Sequence, residues 1–209
     1  ELLKGRVTSF TALDKIQAVI DSLKTRYPDF KFIQDNIPPF SKLQDNAYDV
    51  VISFQVIEHI KADLKYLEEI KRVLKPGGVA LITTPNIKLT LTRNPWHIRE
   101  YTADQLSALA GSVFENVIMK GITGNDKVMQ YYEMNKRSVR KITRFDILNL
   151  QYKLPAPILR IPYDILNRLN RNKLKSSDNE LVNTITHDDY LITDDADKAL
   201  DLFCIMTKD

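Results

Sequence analysis

The chain has 209 residues, of which 44% are hydrophobic, and this is enough for one substantial core and most simply for one domain. No run approaches the roughly 18 apolar residues of a membrane-spanning helix, so we expect a soluble, cytoplasmic protein. The single cysteine, Cys204, excludes an internal disulfide and a cysteine-based zinc site, and we expect it to be a buried strand residue.

The net charge of +3 is unevenly distributed along the chain. Between Lys127 and Lys175, twelve Lys or Arg residues accompany only three acids. Residues 178–197, in contrast, contain seven acids and no Lys or Arg. This asymmetry indicates a segment with a role of its own.

The first part of the chain alternates short strands with a helix. Val7–Leu13 predicts a strand, and Asp14 is expected to begin a helix in which Gln17 completes a capping box. The helix should end near Tyr27, because a proline follows. A second short strand is predicted at Phe30–Gln34, before an irregular loop.

A strand, a helix and a strand follow. Tyr48–Phe54 is apolar at successive positions, as a parallel strand that is covered on both faces requires. Apolar residues at helical spacing then predict a helix from about Ile60 that ends at Pro76-Gly77-Gly78, and Val79–Thr84 predicts the next strand. This order indicates a right-handed parallel crossover.

The last predicted elements enclose a long helical stretch. Thr102 begins a helix with Gln105 as its capping-box partner and Gly111 at its end. Strands are predicted at Val113–Met119 and Leu200–Met206. The roughly 80 residues between these two strands have the apolar periodicity of helices.

Ordered stretches of the sequence resemble the class I S-adenosylmethionine-dependent methyltransferases, in their small-molecule (type 11-like) branch. They are YDVVISFQVIEHI at 48–60, EIKRVLKPGG at 69–78, VALITTPN at 79–86 and NPWHIREYTADQL at 94–106. The resemblance covers about residues 1–122 and 198–208. It implies an α/β, Rossmann-like fold with a mostly parallel sheet, an antiparallel last strand, and a helical insertion or lid at 124–197.

The family's first strand and its glycine-rich loop have no counterpart here. In the register of the resemblance, ELLKG would end the helix before the family's second strand. The family's first strand lies in the middle of the sheet, so its loss would leave buried edges with unpaired backbone groups. We therefore interpret residues 1–209 as a methyltransferase domain without that strand, and expect roughly 30–60 further residues before Glu1, the size of a crossover unit. The alternative is a true fragment, inactive and swapped with a partner.

The resemblance implies S-adenosylmethionine as the cofactor and indicates residues that bind it. Asp14 lies where an acid of the family accepts hydrogen bonds from both ribose hydroxyls, and a plain helix N-cap is the alternative. Asp35 and Asn36 lie where the family holds the adenine amino group, with Ile37 beside the ring. Which of the two polar side chains faces adenine is open, and an ordinary loop is the alternative.

Further candidates follow the strand at 48–54. Phe54 and Gln55 leave this strand at the crevice where open α/β sheets bind ligands, and we assign them to the cofactor. Glu58 and His59 come next, on the first predicted helical turn. A helix N-terminus disfavours a cation, so His59 is expected to be neutral and able to act as a general base. A structural hydrogen bond is the alternative role.

A second histidine, His97, follows the strand at 79–84 on the same side of the sheet. Trp96 and Tyr101 could wall an acceptor pocket beside it. Some RNA-end methyltransferases hold magnesium with Glu-x-x-Glu-His and a later histidine. Because Gln55 stands where the first of those glutamates would be, we expect no metal ion.

We expect the transfer of a methyl group to an oxygen, or a nitrogen, of a small or carrier-linked metabolite, with Glu58, His59 and His97 at the acceptor. The alternatives are an RNA methyltransferase and a non-catalytic binding module derived from the fold. The basic insertion is interpreted as a lid, or as a surface that contacts an anionic or lipid-linked acceptor at a membrane. Contact with nucleic acid is the least favoured, because stacking aromatics are sparse there.

Overall fold

The structure is a computed structural model, and it describes residues 5–144, 146, 148–177 and 179–209. The first four residues, predicted as the end of a helix, lie outside the described part. The strands are β1 Thr11–Asp14, β2 Lys31–Gln34, β3 Tyr48–Phe54, β4 Leu74–Pro85, β5 Asn116–Gly124, β6 Tyr190–Thr193 and β7 Asp201–Thr207. The α-helices are α1 Gln17–Arg26, α2 Asp63–Val73, α3 Ala103–Gly111, α4 Asp126–Thr143, α5 Leu150–Lys153, α6 Ala156–Ser177 and α7 Asn179–Thr184.

The strands form two sheets. β1 and β2 form a parallel pair, and the larger sheet has the order β3-β4-β7-β5-β6. β3 and β4 are parallel, whereas β7 is antiparallel to both of its neighbours. The predicted α/β class with an antiparallel last strand is confirmed. Within the described ranges β1 and β3 each have one edge without a neighbouring strand.

The main core lies between helices α2 and α3 and one face of the larger sheet. α2 contributes Leu67 and Ile70, and α3 contributes Leu106, to a cluster that also contains β4 and β7 residues. Cys204 of β7 is fully buried in this cluster, as predicted. Burial raises the pKa of its thiol to about 12.

Strand β3 differs from the prediction that both of its faces are covered. Val51 packs against the core cluster. Val50, Ile52 and Phe54 point the other way and are 51%, 47% and 52% exposed. The two faces differ because, in the part of the chain that the structure describes, the core cluster packs on only one of them.

Two helix starts are placed differently from their predictions, and a third agrees. α1 begins at Gln17 with Ile16 as N-cap, so the predicted capping box of Asp14 is wrong. Asp14 remains in β1, and its Oδ1 accepts a hydrogen bond from the backbone N–H of Ile16 at 2.7 Å. α2 begins at Asp63, after a separate 3₁₀ turn. The capping box of Thr102 and Gln105 at α3 is confirmed.

The end of α2 also lies earlier than predicted. The helix ends at Val73, and Pro76-Gly77-Gly78 lies within β4. Gly77 has a φ of +76°, which favours glycine, so the motif bends a strand instead of ending a helix.

The stretch between β5 and β7 is largely helical, as predicted, and contains α4 to α7. It also contains β6, which the sequence did not predict, antiparallel to β5. None of the helices in the described ranges is both long and apolar enough to cross a membrane.

We predict that substitutions on the buried and exposed faces of α2 have different effects on the free energy of unfolding. Leu67 is fully buried, whereas Leu64 on the same helix is 44% exposed. Leu67→Ala should lower the free energy of unfolding by about 2–5 kcal/mol, because it removes buried methyl groups and leaves a cavity. Leu64→Ala is the control and should cost about 1 kcal/mol or less. Urea unfolding measures both values, and equal losses would contradict this description of the core.

Candidate functional site

Glu58 joins three parts of the chain beyond the end of β3. It lies in a 3₁₀ turn, Ile57–His59, and is 1% exposed. Its Oε2 accepts a hydrogen bond from the Thr84 hydroxyl at the end of β4, at 2.9 Å. Its backbone carbonyl accepts hydrogen bonds from the N–H groups of Ile98, at 2.8 Å, and Arg99, at 3.3 Å. The segment that carries His97 is therefore tied directly to Glu58.

Asp63 holds the same segment against the start of α2. Its Oδ2 accepts a hydrogen bond from the Tyr101 hydroxyl at 2.8 Å and forms an ion pair with Arg99. Tyr101 is only 2% exposed and belongs to the core. The expectation that Tyr101 walls a pocket is therefore wrong, because its ring and its hydroxyl are both used inside the fold.

The two candidate histidines lie against each other. The ring centroids of His59 and His97 are 4.9 Å apart, edge to face. His59 Nδ1 is 2.9 Å from the Trp96 carbonyl oxygen, which can only accept, so Nδ1 carries the hydrogen. His97 Nδ1 is 2.6 Å from Glu100 Oε1 and donates to that carboxylate. In the neutral rings both Nε2 atoms therefore carry lone pairs.

The predicted trio of Glu58, His59 and His97 comes together in space. Glu58 Oε1 is 3.9 Å from His59 Nε2. One ligand-type atom from each of the three side chains lies within 4.8 Å of the other two. The Nε2 atom of His97 is also 2.8 Å from the side-chain nitrogen of Asn94, whose oxygen accepts from the Trp96 backbone N–H at 3.0 Å.

A partly buried acid that the sequence interpretation missed lies next to this trio. Asp201 is the first residue of β7 and accepts a hydrogen bond from the side chain of Gln55. Burial raises the pKa of Asp201 to about 6; the Gln55 hydrogen bond opposes the rise and the nearby Glu58 carboxylate adds to it. The signal in the sequence is an acid that opens an otherwise apolar strand.

A cavity of about 650 Å³ separates the insertion from the residues that follow β4. His97 and Glu100 form part of its wall. Much of the remaining wall is apolar and comes from the β4–α3 connection, α4 and α6, and includes Leu91, Val139, Ile142, Leu159, Tyr163 and Leu166. The volume suits a small organic molecule, and the apolar wall suits one with few polar groups.

Three side chains fasten the insertion to the connection between β4 and α3. The Tyr132 hydroxyl of α4 donates to the Leu89 carbonyl at 3.0 Å. Arg93 donates to two backbone carbonyls at α5, each at 3.0 Å. The Trp96 indole N–H donates to Asp164 of α6 at 3.0 Å. Trp96 thus joins the lid to the segment that carries His97.

Helix α6 has apolar residues on two faces. One face lines the cavity, and the other faces solvent. The solvent face carries large residues that are 55–71% exposed at helical spacing: Ile158, Ile161, Ile165 and Leu169. Arg168 and Arg171 are exposed beside them. The expected contact of this basic insertion with an anionic surface stays a prediction.

Among the candidate cofactor residues, Asp14 and Asn36 have side-chain atoms to offer. Asp14 is partly exposed at the end of β1, and only its Oδ1 forms a hydrogen bond within the described ranges. Asn36 is exposed after β2. Phe54 is half exposed, and Gln55 follows it with a φ of +57°. These residues all lie at the carboxyl ends of parallel strands.

The neighbouring Asp35 is used inside its own loop. It is 4% exposed, and its Oδ1 accepts from the Asn36 N–H at 2.8 Å and the Ser41 hydroxyl at 2.7 Å, while its Oδ2 accepts from the Lys42 N–H at 2.7 Å. Burial opposes ionisation, but these hydrogen bonds outweigh it and hold the pKa of Asp35 below its ordinary value. Ile37 packs against the core cluster from the same loop.

We predict a pH-dependent effect of Asp201 on stability. Its pKa rises from 3.8 to about 6 on folding, so the folded chain binds this proton more tightly, and stability is lost as pH rises through that window. Asp201→Asn keeps an acceptor for Gln55 and should stabilise the protein by about 3 kcal/mol at pH 7. The gain should be close to zero at pH 4. Urea unfolding at both values tests this, and an equal gain at both would contradict the shifted pKa.

Comparison with known proteins adds family information to this geometry. Residues 1–82 match the family described as a methyltransferase domain. A probable S-adenosylmethionine-dependent methyltransferase of Mycobacterium tuberculosis (strain CDC 1551 / Oshkosh) is 35% identical over 118 residues, which are 53% of this chain and 42% of that protein. A ubiquinone biosynthesis O-methyltransferase of Rickettsia akari is 31% identical over 80 residues, 36% of this chain and 31% of that protein.

A solved structure supports the same fold. The SAM-dependent methyltransferase of Thermotoga maritima that is described as a possible histamine N-methyltransferase aligns with a TM-score of 0.58. The alignment covers 96% of this chain and 73% of that one at 10% identity, so it shows the fold alone. The chain spans less than half of the length of the two curated relatives named above.

Proposed function

We propose that the chain is a class I S-adenosylmethionine-dependent methyltransferase and that it transfers a methyl group from S-adenosylmethionine to a small or carrier-linked acceptor, which binds in the cavity beneath the insertion. The observation that carries this proposal is the position of His97, which lines the cavity and touches His59 beyond β3. Cofactor and acceptor would then meet where the strands end, as ligands do in open α/β sheets.

The cofactor half of the site uses the residues at the ends of β1 to β3. S-adenosylmethionine supplies a methyl group on a positively charged sulfur. Asp14 Oδ2 has no hydrogen bond among the described residues and accepts from a ribose hydroxyl. Asn36 binds the adenine edge, because the oxygens of Asp35 already accept hydrogen bonds within the loop. Phe54 offers half-exposed apolar surface beside them.

The acceptor half consists of the cavity and the two imidazoles. The apolar wall binds an aromatic or aliphatic body, and the polar edge at His97 and Glu100 orients its reacting group. Methyl transfer needs alignment and the removal of one proton from the acceptor. We favour oxygen over nitrogen as the reacting atom, because one relative is named as an O-methyltransferase of ubiquinone biosynthesis.

We predict that Asp14→Ala weakens the binding of S-adenosylhomocysteine by about 1.5–3 kcal/mol, the range for hydrogen bonds to a charged group. Asp29→Ala is the matched control, because Asp29 is an exposed acid in the turn before β2. Titration calorimetry of wild type and both variants gives the affinities. Unchanged affinity in Asp14→Ala would leave this carboxylate with only its turn hydrogen bond to Ile16.

We predict that His97→Ala lowers turnover by about 10²–10⁴-fold, the range for positioned acid–base groups. Affinity for S-adenosylhomocysteine should stay within about twofold, because His97 lies on the acceptor side. The assay follows formation of S-adenosylhomocysteine with a panel of phenolic and catecholic acceptors. His187→Ala is the control, since that side chain is 80% exposed. Loss of cofactor affinity with unaltered turnover would place His97 in the wrong half of the site.

A further inference from the structure

We propose that Glu58, His59 and His97 bind one divalent transition-metal cation, of the Mn²⁺ or Zn²⁺ class, and that this cation holds the reacting oxygen of the acceptor. The role of the cation rests on the methyl transfer proposed above, whereas its binding can be tested without any acceptor. Two imidazoles and one carboxylate within 4.8 Å of one another form a three-ligand set with positions left open for another ligand.

The hydrogen bonds around Glu58, His59 and His97 hold these side chains in the way that outer-shell hydrogen bonds hold metal ligands. A metal-binding histidine donates its other N–H to a carbonyl or a carboxylate, which fixes the tautomer and the ring. His59 donates Nδ1–H to the Trp96 carbonyl, and His97 donates Nδ1–H to Glu100. Thr84 holds Oε2 of Glu58, which leaves Oε1 on the side of His59 Nε2. Glu58 and His59 are thus each held at one polar atom and keep the other for a ligand, whereas Nε2 of His97 accepts a hydrogen bond from the Asn94 amide.

The charge around the trio favours a cation. The side chains of Glu58 and Glu100 are only 1% and 9% exposed. Within the part of the chain that is described, their ion-pair partners are His59 and His97, and neither carboxylate pairs with Lys or Arg. A buried carboxylate requires a compensating positive charge or several hydrogen bonds, and a divalent cation bound to Glu58 supplies such a charge.

Two residues beside the proposed metal site, Asn94 and Gln55, bear on whether a cation can bind there. Asn94 donates to His97 Nε2, so its amide has to give up this hydrogen bond when the cation binds. Gln55 stands at the position of the first glutamate of the Glu-x-x-Glu-His motif, so the sequence alone predicts no metal ion. In the structure the side chain of Gln55 binds Asp201 instead, and the three-ligand set forms without it.

In the proposed reaction the cation keeps its oxidation state, and every atom and charge is accounted for. An acceptor hydroxyl on the cation becomes more acidic, and its proton passes to water, so that His59 and His97 act in this step as ligands and not as general bases. A bond forms between that oxygen and the methyl carbon as the bond from carbon to sulfur breaks, and the sulfonium becomes the neutral thioether of S-adenosylhomocysteine. Glu58, His59 and His97 position the oxygen through the cation.

Metal binding is tested with Mn²⁺ and Zn²⁺ alone, by titration calorimetry of the chelator-treated protein and by elemental analysis after dialysis. Wild type and the control His187→Ala should bind one ion per chain with the same Kd. His59→Ala removes a direct ligand and Glu58→Gln removes the negative charge of one, so each should weaken binding at least about 100-fold, the upper end of the range for changes to the outer-shell partners of metal ligands. His59 is 44% exposed, so its variant should keep the fold, and circular dichroism checks both variants.

Binding that is equal in all variants, or absent up to millimolar ion, would overturn the metal site. Titration of S-adenosylhomocysteine into the chelator-treated protein separates this result from failure of the proposed function. Cofactor binding without metal binding would defeat the metal site alone. Metal binding without cofactor binding would defeat the methyl transfer and leave the metal site standing.

Discussion

The buried carboxylate of Glu58 is the constraint on which the arrangement of the site depends. A carboxyl group that is almost fully buried needs polar partners. Thr84 at the end of β4 supplies one hydrogen bond, and the backbone N–H groups of Ile98 and Arg99 bind the carbonyl of the same residue. Strand ends, the 3₁₀ turn and the segment with His97 are therefore positioned by one residue.

How much the sequence could predict depended on how local the determining interactions are. The capping box of Thr102 and the position of β3 follow from neighbouring residues, and both were predicted correctly. Asp14 was misplaced because a strand end and a helix N-cap use the same type of residue. β6 was missed because the strand has only four residues and these are largely exposed. It is also ordered by pairing with β5, which lies far away in the sequence.

In the candidate site, too, the features set by nearby residues could be predicted and those set by distant residues could not. Glu58, His59 and His97 could be proposed from their positions after two strands. Asp201 could not, because its significance depends on burial beside Gln55, and neither the burial nor the neighbour can be read from the surrounding residues. The cavity was also beyond prediction, since its wall combines the β4–α3 connection with helices that follow β5.

The connection from Leu89 to His97 has a consequence for how such proteins diversify. Within nine residues this connection makes three contacts with the insertion. Leu89 accepts a hydrogen bond from Tyr132, Arg93 donates to backbone carbonyls at α5, and Trp96 donates to Asp164 of α6. The connection ends at His97, whose imidazole belongs to the site. A new lid grafted onto this scaffold would leave these anchors without partners unless the connection were exchanged with it. Lid and connection therefore form one transplantable module, and chimeras between relatives should be cut before Leu89 instead of at the ends of the insertion.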